Sequence, residues 1–159
     1  MDNSALRAAA PECALALDHS WPLWERDVHL DLGHVLNCVV ADALSPATTG
    51  ALTLHHAGLW ECDLEAQSRL TWSGGVYDIF GLERGTDVSR ELALSLYTEN
   101  SRAKLESLRR HAIHHKRGFT IDVEIRAAAV GEDRKVRIVA TPELEQDRVK
   151  RLVGIKLAL

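Results

Sequence analysis

The chain has 159 residues, 46% hydrophobic and 26% charged, which is enough apolar material for one compact domain with an appended segment. Its formal net charge of −4 is mild and both signs are scattered, so no long-range field points to nucleic acid or an anionic membrane. No stretch is long and apolar enough for a membrane span, and the opening MDNSALRAAAPECALALDHS lacks the basic and continuous apolar regions of a secretory signal.

Residues 1–26 are weakly patterned and carry Pro11, Trp21, Pro22 and Trp24. They read as a loosely ordered arm that docks through its tryptophans. From Val28 to Leu44 the apolar residues recur at helical spacing, with Asp27 available as the N-cap, and predict an amphipathic helix. SPATTG at 45–50 breaks the chain and divides it into an N-terminal arm and helix, 1–50, and a domain, 51–159. The odd cysteines Cys13, Cys38 and Cys62 lack CxxC pairing and fit buried thiols in a reducing compartment, hence a cytoplasmic location.

Past residue 50 the periodicity changes. Trp60, Cys62 and Leu64, then Leu70 and Trp72, alternate with polar or outward residues and predict two adjacent strands joined by EAQS. Ser73 can cap a short helix through GGVYDIF that Gly81 ends, and Ser89 a second one through RELALSLY. A longer helix is predicted from Glu99 to Lys116, with Leu105, Leu108 and Ala112 buried and Gly118 as terminator. FTIDVEIRA then alternates strictly, with Phe119, Ile121, Val123 and Ile125 on one face. Two further strands carry apolar sets at Val136, Ile138 and Ala140, then at Val149, Val153, Ile155 and Leu157. The order implies an α+β domain, one antiparallel sheet with helices on one face.

The segments GLWECDL, RLTWS, VYDIFGL, FTIDVEIR and RLVGIK, in unbroken order over residues 51–157, resemble a PAS domain of the PAS-3-like branch. The resemblance implies a five-stranded antiparallel sheet in 2-1-5-4-3 order, with helices enclosing a small cavity, in a sensory domain that commonly dimerises. Two departures stand out. Tyr97-Thr98-Glu99-Asn100 replaces the usual H-P-x-D, and Lys156-Leu157-Ala158 replaces the closing D-I-T that couples such domains to an effector. With the sequence stopping at Leu159 and no output module in it, the expectation is a stand-alone bacterial signalling adaptor. Its partner would be a signalling protein such as a two-component histidine kinase or a relay protein, reached through protein contact.

The expected cavity is lined from the sheet by Trp60, Cys62, Trp72, Ile121, Val123, Val136, Ile138 and Ile155, and from the helices by Tyr77, Phe80 and Leu108. These residues favour a small apolar ligand, and a filled core accounts for them equally well. Val28, Leu32, Val35, Leu36, Val39 and Val40 form a stripe that could cover the exposed sheet face in the same chain or in a homodimer. His111 and His115 lie one turn apart, but no third ligand is identifiable, so a solvated helix end is expected and no metal. No cofactor is expected: these histidines lie too near the helix end for the family's haem position, and ELALSLYTEN lacks the cysteine stretch of flavin sensors. No G-x-S-x-G, P-loop, H-E-x-x-H or dinucleotide fingerprint occurs, so the chain reads as non-enzymatic. A cone-shaped isomerase fold fits poorly, because the tryptophan strands precede the helices. The alternative to the adaptor is a ligand sensor acting through the apolar cavity.

Overall fold

The computed structural model describes residues 18–30 and 56–159. Its first segment forms strand β1 (Asp18–Trp21), a 3-10 turn at Leu23–Glu25 and one helical turn, α1 (Arg26–His29). The second begins with β2 (Ala57–Asp63) and β3 (Arg69–Trp72), followed by helices α2 (Gly74–Phe80), α3 (Arg90–Ser95) and α4 (Glu99–His115). Three long strands close the chain: β4 (Gly118–Arg126), β5 (Asp133–Glu145) and β6 (Arg148–Ala158).

All six strands pair antiparallel in the order β1-β4-β5-β6-β2-β3. Leaving β1 aside, this is the expected 2-1-5-4-3 sheet. The sixth strand is contributed by the N-terminal arm, which adds to the β4 edge with Trp21 opposite Gly118. The three main helices pack on one face, where Phe80, Ala93, Leu105 and Ala112 meet Phe119, Ile121, Val123, Ile138 and Leu152.

The opposite face has its own apolar cluster of Trp21, Leu30, Ala57, Val139 and Ile155, with Leu59 and Leu157 partly buried beside it. Trp21 fits there because Gly118 has no side chain; a Cβ at that position would lie 2.1 Å from the indole. The indole donates its Nε1–H to Thr120 Oγ1 at 3.1 Å and stacks on His29 at 4.4 Å. Arg117 holds the strand from its flank by donating to Ser20 Oγ at 3.2 Å.

The N-terminal expectations need correction. Trp21 docks, but Trp24 is 85% exposed. Asp27 lies inside α1, where Glu25 holds the N-cap position. Val28 is 75% exposed and so does not cover the sheet within its own chain, whereas Leu32, Val35, Leu36, Val39 and Val40, with the rest of the expected helix to Leu44, lie outside the described residues.

Local signals elsewhere read with two exceptions. Ser89 Oγ accepts from Leu92 N–H at 3.0 Å, and Gly81 ends α2 at φ +69°. Ser73 sits at the N-cap of α2 but its hydroxyl is used across the sheet edge, accepting from Leu59 N–H at 2.8 Å. The terminator of α4 is Lys116, left-handed at φ 54°, and Gly118 already belongs to β4.

Truncating Trp21 to alanine should cost about 3–5 kcal/mol of stability, and Gly118→Ala about 1–3 kcal/mol through the clash with the ring. Urea unfolding at fixed pH measures both. Unchanged midpoints in the two variants would show that β1 does not hold the sheet edge.

Candidate functional site

The register of β2 against β3 places Trp60 directly opposite Trp72, with Cys62 opposite Leu70. The hairpin is set by Asp63, whose Oδ1 accepts from Glu65 and Ala66 N–H at 3.0 and 3.2 Å. Both tryptophans are buried on the helix-facing side, so the expectation of a shared facing holds. The rings do not stack on one another but take part in a larger aromatic group. Phe80 lies 4.8 Å from Trp72 and 5.6 Å from Tyr97, and Tyr77 meets Trp72 edge-on at 5.5 Å.

Tyr97 is fixed by backbone. It bridges Ile125, Thr98 N–H donates to Glu124 O at 3.0 Å, and Arg126 N–H donates to Leu96 O at 2.8 Å. The link between α3 and α4 is thereby sewn onto β4.

At the centre of these rings lies Lys156, 5% exposed. Its Nζ is 4.8 Å from the Phe80 centroid, 5.1 Å from Trp72, 5.2 Å from Trp60 and 5.7 Å from Tyr97. It donates to Tyr97 Oη at 3.0 Å. Among the described residues it enters no ion pair. Burial pushes its amine down to about 7, against a smaller opposite influence of Cys62. The ring faces favour the charged form, whereas desolvation favours the neutral one. Burial also pushes the Tyr97 phenol up, with Glu106 adding to the shift, so the phenol stays protonated.

Lys156 forms part of the wall of a cavity of about 60 Å³ between the sheet and α3 and α4. That space holds a few waters or a ligand of a handful of heavy atoms. The other lining residues are Trp60, Cys62, Leu70, Ala93, Leu94, Tyr97, Leu105, Phe119, Ile138 and Leu152, with Arg90, Glu106 and Arg109 adding charge. Arg90 Nη2 pairs with Glu106 Oε2, and Arg109 Nη2 donates to Ser68 Oγ at 3.1 Å. The Trp60 and Trp72 indole N–H groups are buried without an acceptor among the described residues.

Of the residues expected to line the cavity, Trp60, Cys62 and Ile138 do so. Trp72, Phe80, Ile121, Val123 and Val136 belong to the surrounding core, and Tyr77 and Leu108 pack against it half-buried. Ile155 lies on the opposite face with Trp21. That placement inverts the expected facing of β6: Leu152 and Lys156 point to the helices, while the more apolar Ile155 and Leu157 serve the other cluster. The cavity is therefore not purely apolar. A lysine inside the run Gly154-Ile155-Lys156-Leu157 was the available signal for a buried cation.

His111 and His115 do lie close, with ring centroids 4.4 Å apart, and His111 Nε2 is 3.4 Å from Ser20 Oγ. The His115 imidazole is pushed down, first by partial desolvation and then by His111, His114 and Arg117. Among the described residues no group of three or more His, Cys, Asp or Glu side chains is arranged to hold a metal ion. Among the same residues no helix is long and apolar enough to cross a membrane.

A curved antiparallel sheet in this strand order, with short helices closing a cavity over one face, is the PAS-like fold. Solved structures carry that conclusion. The N-terminal domain of a diguanylate cyclase with PAS/PAC sensor from Marinobacter aquaeolei matches with TM-score 0.58 at 12% identity, over 64% of this chain and 94% of that one. The domain of a light and redox sensing histidine kinase from Haloarcula marismortui matches with TM-score 0.57 at 14% identity, over 72% and 99%. An RNA-binding light-oxygen-voltage receptor matches with TM-score 0.57 at 19% identity, over 65% of this chain and 29% of the receptor. No protein-family model and no curated protein matches the sequence.

Lys156 sets a pH dependence. Its folded-state pKa of about 7 lies below the ordinary 10.5, so between these values the unfolded chain binds the extra proton and stability rises with pH. The slope should approach about 1.4 kcal/mol per pH unit within that window. Above pH 10 the raised phenol of Tyr97 acts the other way, because the unfolded chain then loses a proton the folded one keeps. Urea midpoints measured across the window should climb for the wild type, and in Lys156→Met the climb should be gone. A Lys156→Met profile parallel to the wild type would show that another group governs it.

Proposed function

We propose that this chain is a sensory PAS-like module whose cavity binds a small ligand and whose occupancy regulates a signalling protein through non-covalent contact. A two-component histidine kinase or a relay protein is the partner class proposed. One observation carries the reading: a cavity beside α3 and α4 is walled by a buried lysine that has a neutral phenol but no anionic partner, and by an indole N–H that has no acceptor, among the described residues. A core built for packing alone gains nothing from an ammonium there, since an apolar side chain of similar volume avoids the desolvation cost. The sensor proteins among the structural neighbours support the class of function.

The route by which occupancy could leave the cavity is short. Lys156 sits near the end of β6, and Tyr97, its hydrogen-bond partner, begins the segment that leads into α4. A ligand that competes for the ammonium alters the contact between these two elements. No bond needs to be made or broken, so the module is proposed to act by binding rather than turnover.

A contact-only adaptor, with a cavity that stays empty, is the second reading. Native mass spectrometry of untagged protein separates the two. The expected result is a retained small molecule, removable with a fall in melting temperature by mass action, together with recovery of a histidine kinase or relay protein. Recovery of the signalling protein with no small molecule would favour the adaptor. Recovery of neither, with an unchanged phosphorelay on deletion, would overturn both.

A further inference from the structure

The cavity wall is unbalanced in its hydrogen-bonding groups. Lys156 presents an amine that titrates near neutrality and whose hydrogen bond goes to a neutral phenol, Tyr97, at 3.0 Å. Trp60 adds an indole N–H buried with no acceptor among the described residues. Arg109 brings a guanidinium whose hydrogen bond goes to the Ser68 hydroxyl at 3.1 Å. The carboxylate on the wall, Glu106, is engaged by Arg90. Positive charge and donors thus exceed negative charge and acceptors, in a space where each unmatched group is costly.

Size narrows the match. A volume of about 60 Å³ matches molecules of the size of acetate, propionate or pyruvate. Charge narrows it again. With Arg90 engaged by Glu106 and Arg109 by Ser68, the uncommitted buried donors are one amine and one indole, fewer than a dianion such as phosphate needs, whereas a single carboxylate with a short tail matches them. We infer that the cavity is a receptor for a small monocarboxylate, whose oxygens accept from Lys156 Nζ and the Trp60 indole while its tail rests on Ile138, Phe119 and Leu152. This assignment rests on the sensory reading and names its ligand class.

Entry of an anion favours the charged amine, so binding is coupled to proton uptake above neutrality. The titratable and charged groups facing Lys156 across the cavity are Cys62 from β2, Arg90 from α3, Tyr97 from the linking segment, and Glu106 and Arg109 from α4.

The test uses the full chain and isothermal titration at pH 8 with acetate, propionate and pyruvate, each run in two buffers of different ionisation enthalpy. Propionamide, the neutral isostere of propionate, is the control. At least one acid should bind saturably, with a heat that differs between buffers, and propionamide should not. Lys156→Met, checked for folding by circular dichroism, should weaken binding by at least about tenfold, and Trp60→Phe by about three- to tenfold. Equal binding of propionamide, or undiminished binding to folded Lys156→Met, overturns the assignment. Absence of saturable binding by any of the three acids also overturns it. If a neutral molecule co-purifies in that last case, the sensory reading stands while the carboxylate falls.

Discussion

An ammonium placed in a sheet-and-helix core must be compensated where it sits, and four aromatic side chains of this chain are arranged around one. Each ring face contributes about 0.5–2 kcal/mol to holding a cation, which opposes but does not cancel the loss of water around Lys156. The rings come from three separate parts of the sequence: the β2–β3 hairpin, the end of α2 and the segment before α4. Their convergence requires α2 to lie close on β2. It does so over Gly58, the residue paired with Lys156, where a Cβ would come within 2.4 Å of the Val76 nitrogen. The lysine, the glycine opposite it and the helix above them form one constraint, and the cavity is the space left beside it.

The sheet is used on both faces. One carries the helices and the cavity; the other carries the smaller cluster built on Trp21, Leu30 and Ile155. β6 is therefore sandwiched, with Leu152 and Lys156 committed to one side and Ile155 to the other. Any shift of that strand is felt on both faces at once. Residues 18–30 thus belong mechanically with the sheet, whatever the rest of the N-terminal segment does.

Much of the fold was legible because its periodicities are clean. The strict alternation of Phe119, Ile121, Val123 and Ile125 gave β4 and its facing, and Trp60 and Trp72 gave the hairpin and its register. The facing of β6 was misread for a physical reason. Alternation identifies a half-exposed strand, but this strand is buried on both faces near its end, and there the more apolar set need not face the main core. Strand β1 was hidden for another reason: DHSW is four residues long, and its pairing depends on a glycine nearly a hundred positions away. The charged part of the site was missed because Arg90, Glu106 and Arg109 sit on helix faces that composition alone marks as solvent-facing. The Tyr97-Thr98-Glu99-Asn100 departure, by contrast, proved informative, since Tyr97 is the hydrogen-bond partner of the buried lysine.

The two outermost strands of the sheet, β1 and β3, are each four residues long. Edges this brief, with Asp18 and His19 on one and Arg69 and Thr71 on the other, give an incoming foreign strand little template to extend. Recognition by strand donation is thereby discouraged among the described residues. Along these two described edges, the side chains displayed by the helices and by the sheet's broad surfaces outweigh exposed main chain as a surface for recognition.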